Sequence, residues 1–299
     1  FKNVEWFGFA KVELKEIRKM ISKSGKFMIE RFSRTIYKSI DVILLGYFAG
    51  PVFVASYATS KFLVNASTGV TNKILPSVTP GFGKLIGEEK HDQLLTIRSN
   101  MIFLVFYFGL ISGVIICLLN KSFITLWIGK EYFIGSLETT LLVMLGIIYV
   151  SQEIDSSLIN MTLKIKKKVK LVLMSLGLIL ILGSISIPVI KTKGLLISLI
   201  IGRVLVSIGY LKIFKKILKR KKLRNKIFTT KTQILYLLIL FLAGFMGDFI
   251  LISNWIQLIF MVIFVFFITN LTMWAVFLNE KQKDFIQTLY LKINFYNKK

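Results

Sequence analysis

Apolar residues recur along this chain in eight blocks separated by short polar gaps. A helix needs roughly 20 residues to cross about 30 Å of hydrocarbon. On that measure the blocks predict eight transmembrane helices. They are A over 27–49, B over 52–75, C over 99–119, D over 136–159, E over 169–190, F over 194–214, G over 232–251 and H over 255–278. "AGP" joins A to B and "KTKG" joins E to F, so each pair forms a helical hairpin with a tight turn. A short polar stretch around Asp248 to Asn254 joins G to H. The short alternating strands of an outer-membrane barrel are absent. The fold class is therefore an all-α polytopic membrane protein.

Composition sharpens this picture. The 299 residues are 55% apolar, with 26 Phe against 4 Pro, and mean hydropathy is +0.69. A soluble domain mixes apolar and polar residues more evenly. The net charge of +25 is distributed by gap. Lys and Arg number ten over residues 1–38, four from Lys73 to Arg98, five in "KIKKKVK", ten from Lys212 to Lys231 and five after H. That is thirty-four of the 40 in the chain. The alternate gaps hold four: Lys121, Lys130, Lys191 and Lys193. Short loops with this bias predict that both ends face the cytoplasm of a multi-pass protein in the cell membrane. Retention of loops and attraction to anionic lipid account for the charge, and nucleic acid is excluded as a partner.

Cys117 and His91 each stand alone. That excludes a disulfide framework and a cysteine or histidine metal site, and no cofactor is expected. Residues 1–26 are charged and lack the apolar core of a cleavable signal. The expected organisation is a basic cytoplasmic lead-in over 1–26, a six-helix unit over 27–219 and a basic linker over 220–230. Two additional helices over 231–279 and a basic tail over 280–299 complete it.

Lys61 and Arg203 fall outside the loop count, in the middle of B and F. Other charges lie inside spans too. At about 100° per residue, Arg31, Arg34, Lys38 and Asp41 fall within roughly 80° on A. Lys61, Asn65, Thr68 and Asn72 fall within about 60° on B, with Tyr57 beside them. Gln152, Glu153, Asp155, Ser156 and Asn160 crowd one end of D. A charge at the bilayer centre costs about 2.5–3.5 kcal/mol on insertion scales. These stripes are therefore expected to line a shared, water-filled cavity. Arg31 and Arg34 have an alternative, since they sit near the cytoplasmic end and can snorkel. Asp41 is either a partner for Lys38 or Lys61 or, with Glu153, a candidate for ion coupling. Glu153 and Asp155 are expected nearer the interface, and Asp248 solvated. A cavity of Lys and Arg with Asn and Thr suits an anion bearing hydroxyls. The scarcity of other reactive groups favours transport over catalysis.

The stretch "IDVILLGYFAGPVFVASYATSKFLVNASTGVTNKILPSVTPGFGKLIGEEKHDQLL" resembles the oligosaccharide flippases of the MATE-like MOP exporter superfamily. "NKSFITLWIGKEY" resembles the outer turn of the same family. The resemblance covers about residues 27–160. It implies that A to F form the C-terminal six-helix lobe, that G and H are an extra pair, and that a first lobe precedes Phe1. It implies export of polyprenyl-diphosphate-linked oligosaccharide by alternating access between membrane faces. Arg31, Arg34, Lys38, Lys61 and Arg203 would form the substrate-binding cationic cavity, with Tyr57, Asn65, Thr68 and Asn72 as its polar lining. Partners would be the lipid-linked oligosaccharide, membrane lipids, the first lobe, and a glycan polymerase or glycosyltransferases. Three rivals differ in what they require. A drug–cation antiporter needs an acidic cavity, a lipid-linked glycan polymerase needs a substantial outer loop, and a scaffold subunit or inactive half needs neither.

Overall fold

A computed structural model describes residues 14–162, 165–217, 230–280 and 282–288. The start of the lead-in, the basic linker and most of the tail lie outside the described residues. Helix α1 spans Leu14–Phe48, so 14–26 continues span A as one rod. At 1.5 Å per residue, its 35 residues measure about 50 Å, well beyond the hydrocarbon thickness. It stops where the sequence predicts, at Gly50 with φ 93. The Ala49 and Gly50 amides both donate to the Leu45 carbonyl, at 2.9 and 3.1 Å. Pro51 then opens α2, Pro51–Ser60, where its missing N–H has no intrahelical role to fill.

Span B divides at Lys61 into α2 and α3, Phe62–Gly87. Lys61 keeps helical dihedrals (φ −77, ψ −13). The ladder also passes through it, from the Lys61 amide to Tyr57 and from the Asn65 amide to the Lys61 carbonyl, each 2.9 Å. The helix runs past Pro76 and Pro80, so much of the polar gap predicted after span B is helical. The chain reverses over 88–90 and enters α4, His91–Trp127. A 3₁₀ turn at Lys130–Tyr132 sits between Gly129 and Gly135, whose φ values of 115 and 119 suit glycine. Then α5 covers Ser136–Met161, close to span D.

Helix α6, Ile165–Ile217, folds back on itself at Ile190 and Lys191 (φ 48). Its two legs hold spans E and F. They approach closely at Gly202, whose carbonyl accepts from Ser175 Oγ at 2.8 Å. Helix α7, Thr230–Gly247, and α8, Trp255–Thr272, follow; α8 is capped by Asn254, which accepts from the Gln257 amide at 2.8 Å. A π turn over Met273–Phe277 follows α8, and residues 282–288 are again helical, with Phe285 and Ile286 packed against the core.

Every regular element among the described residues is helical. Among the described residues, four helices are long and apolar enough to cross a membrane: His91–Trp127, Ser136–Met161, Ile165–Lys216 and Trp255–Phe277. The sequence predicts eight crossings, and the difference has three causes. Two predicted spans share α6, charged residues dilute α1, polar residues such as Asn65, Thr68 and Asn72 dilute α3, and the apolar part of α7, Thr232–Gly247, is short. Helix α5 lies at the centre, against α3, α4, α6 and α7; α1 packs on α6, and α8 on α4. Much of α8 exposes large apolar side chains such as Phe260 and Phe267, as a lipid-facing surface does.

Candidate functional site

Helices α1, α3, α5 and α6 line an open chamber of about 340 Å³, in which Lys38 and Asn65 are exposed. Lys38 and Asp41 reach it from α1, Asn65 and Thr68 from α3, and Arg203 from the second leg of α6. Lys61 enters from the α2–α3 junction. The helical spacing noted in the sequence is what brings these groups to one side. A narrower cavity of about 40 Å³ adjoins it, sharing Tyr37, Lys38, Tyr149 and Arg203. Arg34 and Glu153 line that second space. Arg31 is exposed and lines neither cavity. Tyr57 is fully buried behind Asp41 rather than on the wall. The side chain of Asn72 lies outside the described residues.

The cations fall into two electrostatic states. Lys61 is ion-paired with Asp41, which also accepts from Tyr57 Oη at 2.6 Å and from the Val42 amide at 2.8 Å. Arg34 pairs with Glu153 at 3.2 Å and Glu30 at 3.4 Å and donates to Ser156 Oγ at 3.0 Å. Lys168 donates to Glu30 at 2.5 Å and to Asn160 Oδ1 at 2.8 Å. Each of these carboxylates is matched by a cation, as burial of charge requires.

Lys38 and Arg203 are different. Neither has a carboxylate within ion-pair distance among the described residues. The Arg203 guanidinium lies 4.6 Å from the Tyr37 ring centroid and 5.0 Å from that of Tyr149. The Lys38 ammonium is 5.4 Å from the Tyr149 ring. Ring faces attract cations without neutralising them. Arg203 donates to Gln152 Oε1 at 3.2 Å, but its buried Nε has no partner. A planar fork with unused donors, beside a second free cation, is suited to a phosphate or carboxylate.

Several of these groups escape the sequence reading. Tyr37, Tyr149 and Gln152 carry Arg203, and of these only Gln152 belongs to the polar cluster of D. Arg98 and Lys168 fall among the loop cations in the sequence, yet they are 9% and 2% exposed. Arg98 holds Asp155 through two bonds of 2.6 and 2.9 Å and lies 5.2 Å from the Phe214 ring. Asp155 is thus buried in the bundle and paired with Arg98. Asp248 is exposed as expected but accepts from Ser136 Oγ at 2.5 Å. Two signals were available: the i, i+3 spacing of Arg34 and Tyr37, and that of Tyr149 and Gln152.

Residues 1–86 match a family model described as "Polysaccharide biosynthesis protein". The matched family is one of polysaccharide assembly. It agrees with the resemblance carried by the residues after Ile40. The match takes in α1, α2 and nearly all of α3, and so includes Lys38, Asp41, Lys61, Asn65 and Thr68 but not Tyr149 or Arg203. A curated relative from Shigella dysenteriae, named "Putative O-antigen transporter", is 28% identical over 121 residues. That alignment covers 40% of this chain and 29% of the relative, so the chain matches less than a third of that protein's length. No solved structure matches the chain.

Proposed function

We propose that the protein exports lipid-linked oligosaccharide for cell-surface polysaccharide, with the diphosphate seated at Lys38 and Arg203. The observation that carries this reading is the pair of cations that, among the described residues, have no carboxylate within ion-pair distance, in a chamber whose third cation, Lys61, is paired with Asp41. Asn65 and Thr68 add amide and hydroxyl groups suited to a sugar. The polysaccharide family match and the name of the Shigella relative point the same way. In this reading the protein crosses the cytoplasmic membrane eight times with both ends inside. The six crossings of α1 to α6 form one lobe of an alternating-access exporter, and α7 and α8 are accessory. Asp41 holds Lys61 in place, and Arg34 with Glu153 closes the narrow end of the chamber. A cation antiporter fits less well, because Asp41, the one acid of the chamber wall, is already paired.

The test is complementation of an exporter-deficient strain with full-length K38E/R203E protein, monitored by surface polysaccharide and by protein level in the membrane. Export should be lost at an unchanged membrane level. Normal export by that variant would overturn the assignment. Cysteine accessibility at Lys130 and at Lys283 checks orientation, with modification by an impermeant reagent in intact cells expected only at Lys130.

A further inference from the structure

Helix α6 carries ten Lys and Arg and no Asp or Glu. Its cations divide by the face of the helix they leave from. Lys168 turns inward, where Glu30 and Asn160 accept from it. Lys166 and Lys170, two positions to either side, are exposed instead. Lys212 and Lys215 of the second leg are exposed as well. None of these four has a carboxylate within ion-pair distance among the described residues. None lines either cavity of the candidate site.

The two legs bring these lysines to one place. A Cβ at Gly209 would run into the Leu171 side chain, so bare backbone lets the legs close on each other there. Lys170 adjoins Leu171, and Lys212 lies about one turn past Gly209. At about 100° per residue, Lys166 and Lys170 fall within roughly 80° of the exposed Met174 and Ile181 on the first leg. Lys212 and Lys215 fall within roughly 60° of the exposed Ile201 and Ile208 on the second. Met174 and Ile208 are 58 and 50% exposed, so the rest of the described bundle leaves this face uncovered. The change from apolar to basic falls at a definite depth. Counted from the turn at Ile190 and Lys191, the roughly 20 residues that cross hydrocarbon end at Leu171 on one leg and Tyr210 on the other. Lys170 and Lys212 stand just beyond those limits, at the level of lipid phosphates.

We propose that this outer face of α6 binds an anionic phospholipid of the cytoplasmic leaflet. Its phosphate sits among the lysines of the two legs, and its acyl chains lie along Met174, Ile181, Ile201 and Ile208. The choice of leaflet rests on the orientation given under Proposed function; the binding itself does not depend on the diphosphate seat. An ammonium group is a compact point charge for phosphate oxygens, and basic clusters between helices at the cytoplasmic surface take acidic headgroups. A soluble anion meets the charge but leaves the apolar face unused. A lipid of no net charge meets the apolar face but leaves the lysines without a counter-charge. An anionic phospholipid satisfies both and ties the two legs together where Lys168 holds α6 to α1.

The experiment uses full-length protein in vesicles of phosphatidylcholine with one-fifth phosphatidylglycerol. The photocrosslinker p-benzoylphenylalanine replaces Met174 on this face or Leu271 on the exposed face of α8, and captured lipid is identified by mass. The share of phosphatidylglycerol captured at position 174 should exceed that at 271 at least threefold. K170Q/K212Q/K215Q should lower it to the level at 271, and K170R/K212R/K215R should keep it. Equal shares at the two positions overturn the site. An undiminished share in the glutamine variant, or a lost one in the arginine variant, overturns lysine charge as its cause. Inorganic phosphate added at constant ionic strength should leave the capture unchanged; displacement would reassign the patch to a soluble anion. Normal export by K38E/R203E overturns the diphosphate seat alone and leaves this measurement as it stands.

Discussion

Arg98 and Arg203 are both buried arginines near aromatic rings, 9% and 8% exposed, yet their surroundings assign them opposite roles. Arg98 is met by a carboxylate in fork geometry, with Asp155 taking two of its donors. Arg203 is met by two tyrosine rings and one amide oxygen, with a donor left over. The first site is closed and binds helix α4 to α5. The second is open and has the chamber beside it. A buried cation by itself therefore says little; the presence or absence of its counter-charge separates the structural tie from the proposed binding group.

The largest expected effect breaks the closed site. Asp155→Ala strands Arg98 in the bundle, and removing one partner of a buried pair costs about 3–5 kcal/mol. Thermal unfolding in detergent should fall steeply, and Arg98→Met in the same chain should recover most of the loss. No recovery would mean that the pair is not the unit of stability. Next in size is Asp41→Asn, which leaves Lys61 with a neutral partner; loss of a charge-assisted bond is expected to cost about 1.5–3 kcal/mol.

At the open site the order of stability and function reverses. Arg203→Met should leave the melting temperature unchanged or raised, because it removes a cation that nothing neutralises. Export should nevertheless fall about 10- to 100-fold, the equivalent of roughly 1.4–2.7 kcal/mol of lost ligand stabilisation. A strongly destabilised Arg203→Met would make it a second Arg98. The smallest effect belongs to Arg31→Gln. Arg31 touches neither cavity, and both export and melting should be unchanged within error; a lost export phenotype would extend the chamber along α1.

Legibility in the sequence followed the range of the interaction. Span D was readable over 136–159 because glycine precedes it and its apolar run is local, and α5 begins at the same residue. The turn at Gly50–Pro51 was readable for the same reason. Lys38, Asp41 and Lys61 could be grouped because helical periodicity places them on faces before any contact is known. Their partners could not be assigned, since Asp41 had both Lys38 and Lys61 within plausible reach. The Arg98–Asp155 pair was not legible. Arg98 borders a loop in sequence, and only folding of α4 against α5 brings its carboxylate from 57 positions away. Lys168 has the same history, because its "KIKKKVK" context has the composition of a loop while Glu30 lies 138 positions away. Helix α3 runs beyond its apolar block, through Pro76 and Pro80 to Gly87, and an apolar run alone does not mark that continuation.

Helix α1 is unbroken from Leu14 to Phe48, so Lys38 and Asp41 stand on the same stiff rod as the basic segment that precedes them. From Leu14 to Asp41 the rod measures about 40 Å. A helix of that length transmits displacement rather than absorbing it. A tilt imposed at its amphiphilic end, by an anionic lipid surface or a docked neighbour, would reach the chamber as a sideways movement of its cationic wall. The N-terminal part of α1 is thereby a handle on the proposed binding site.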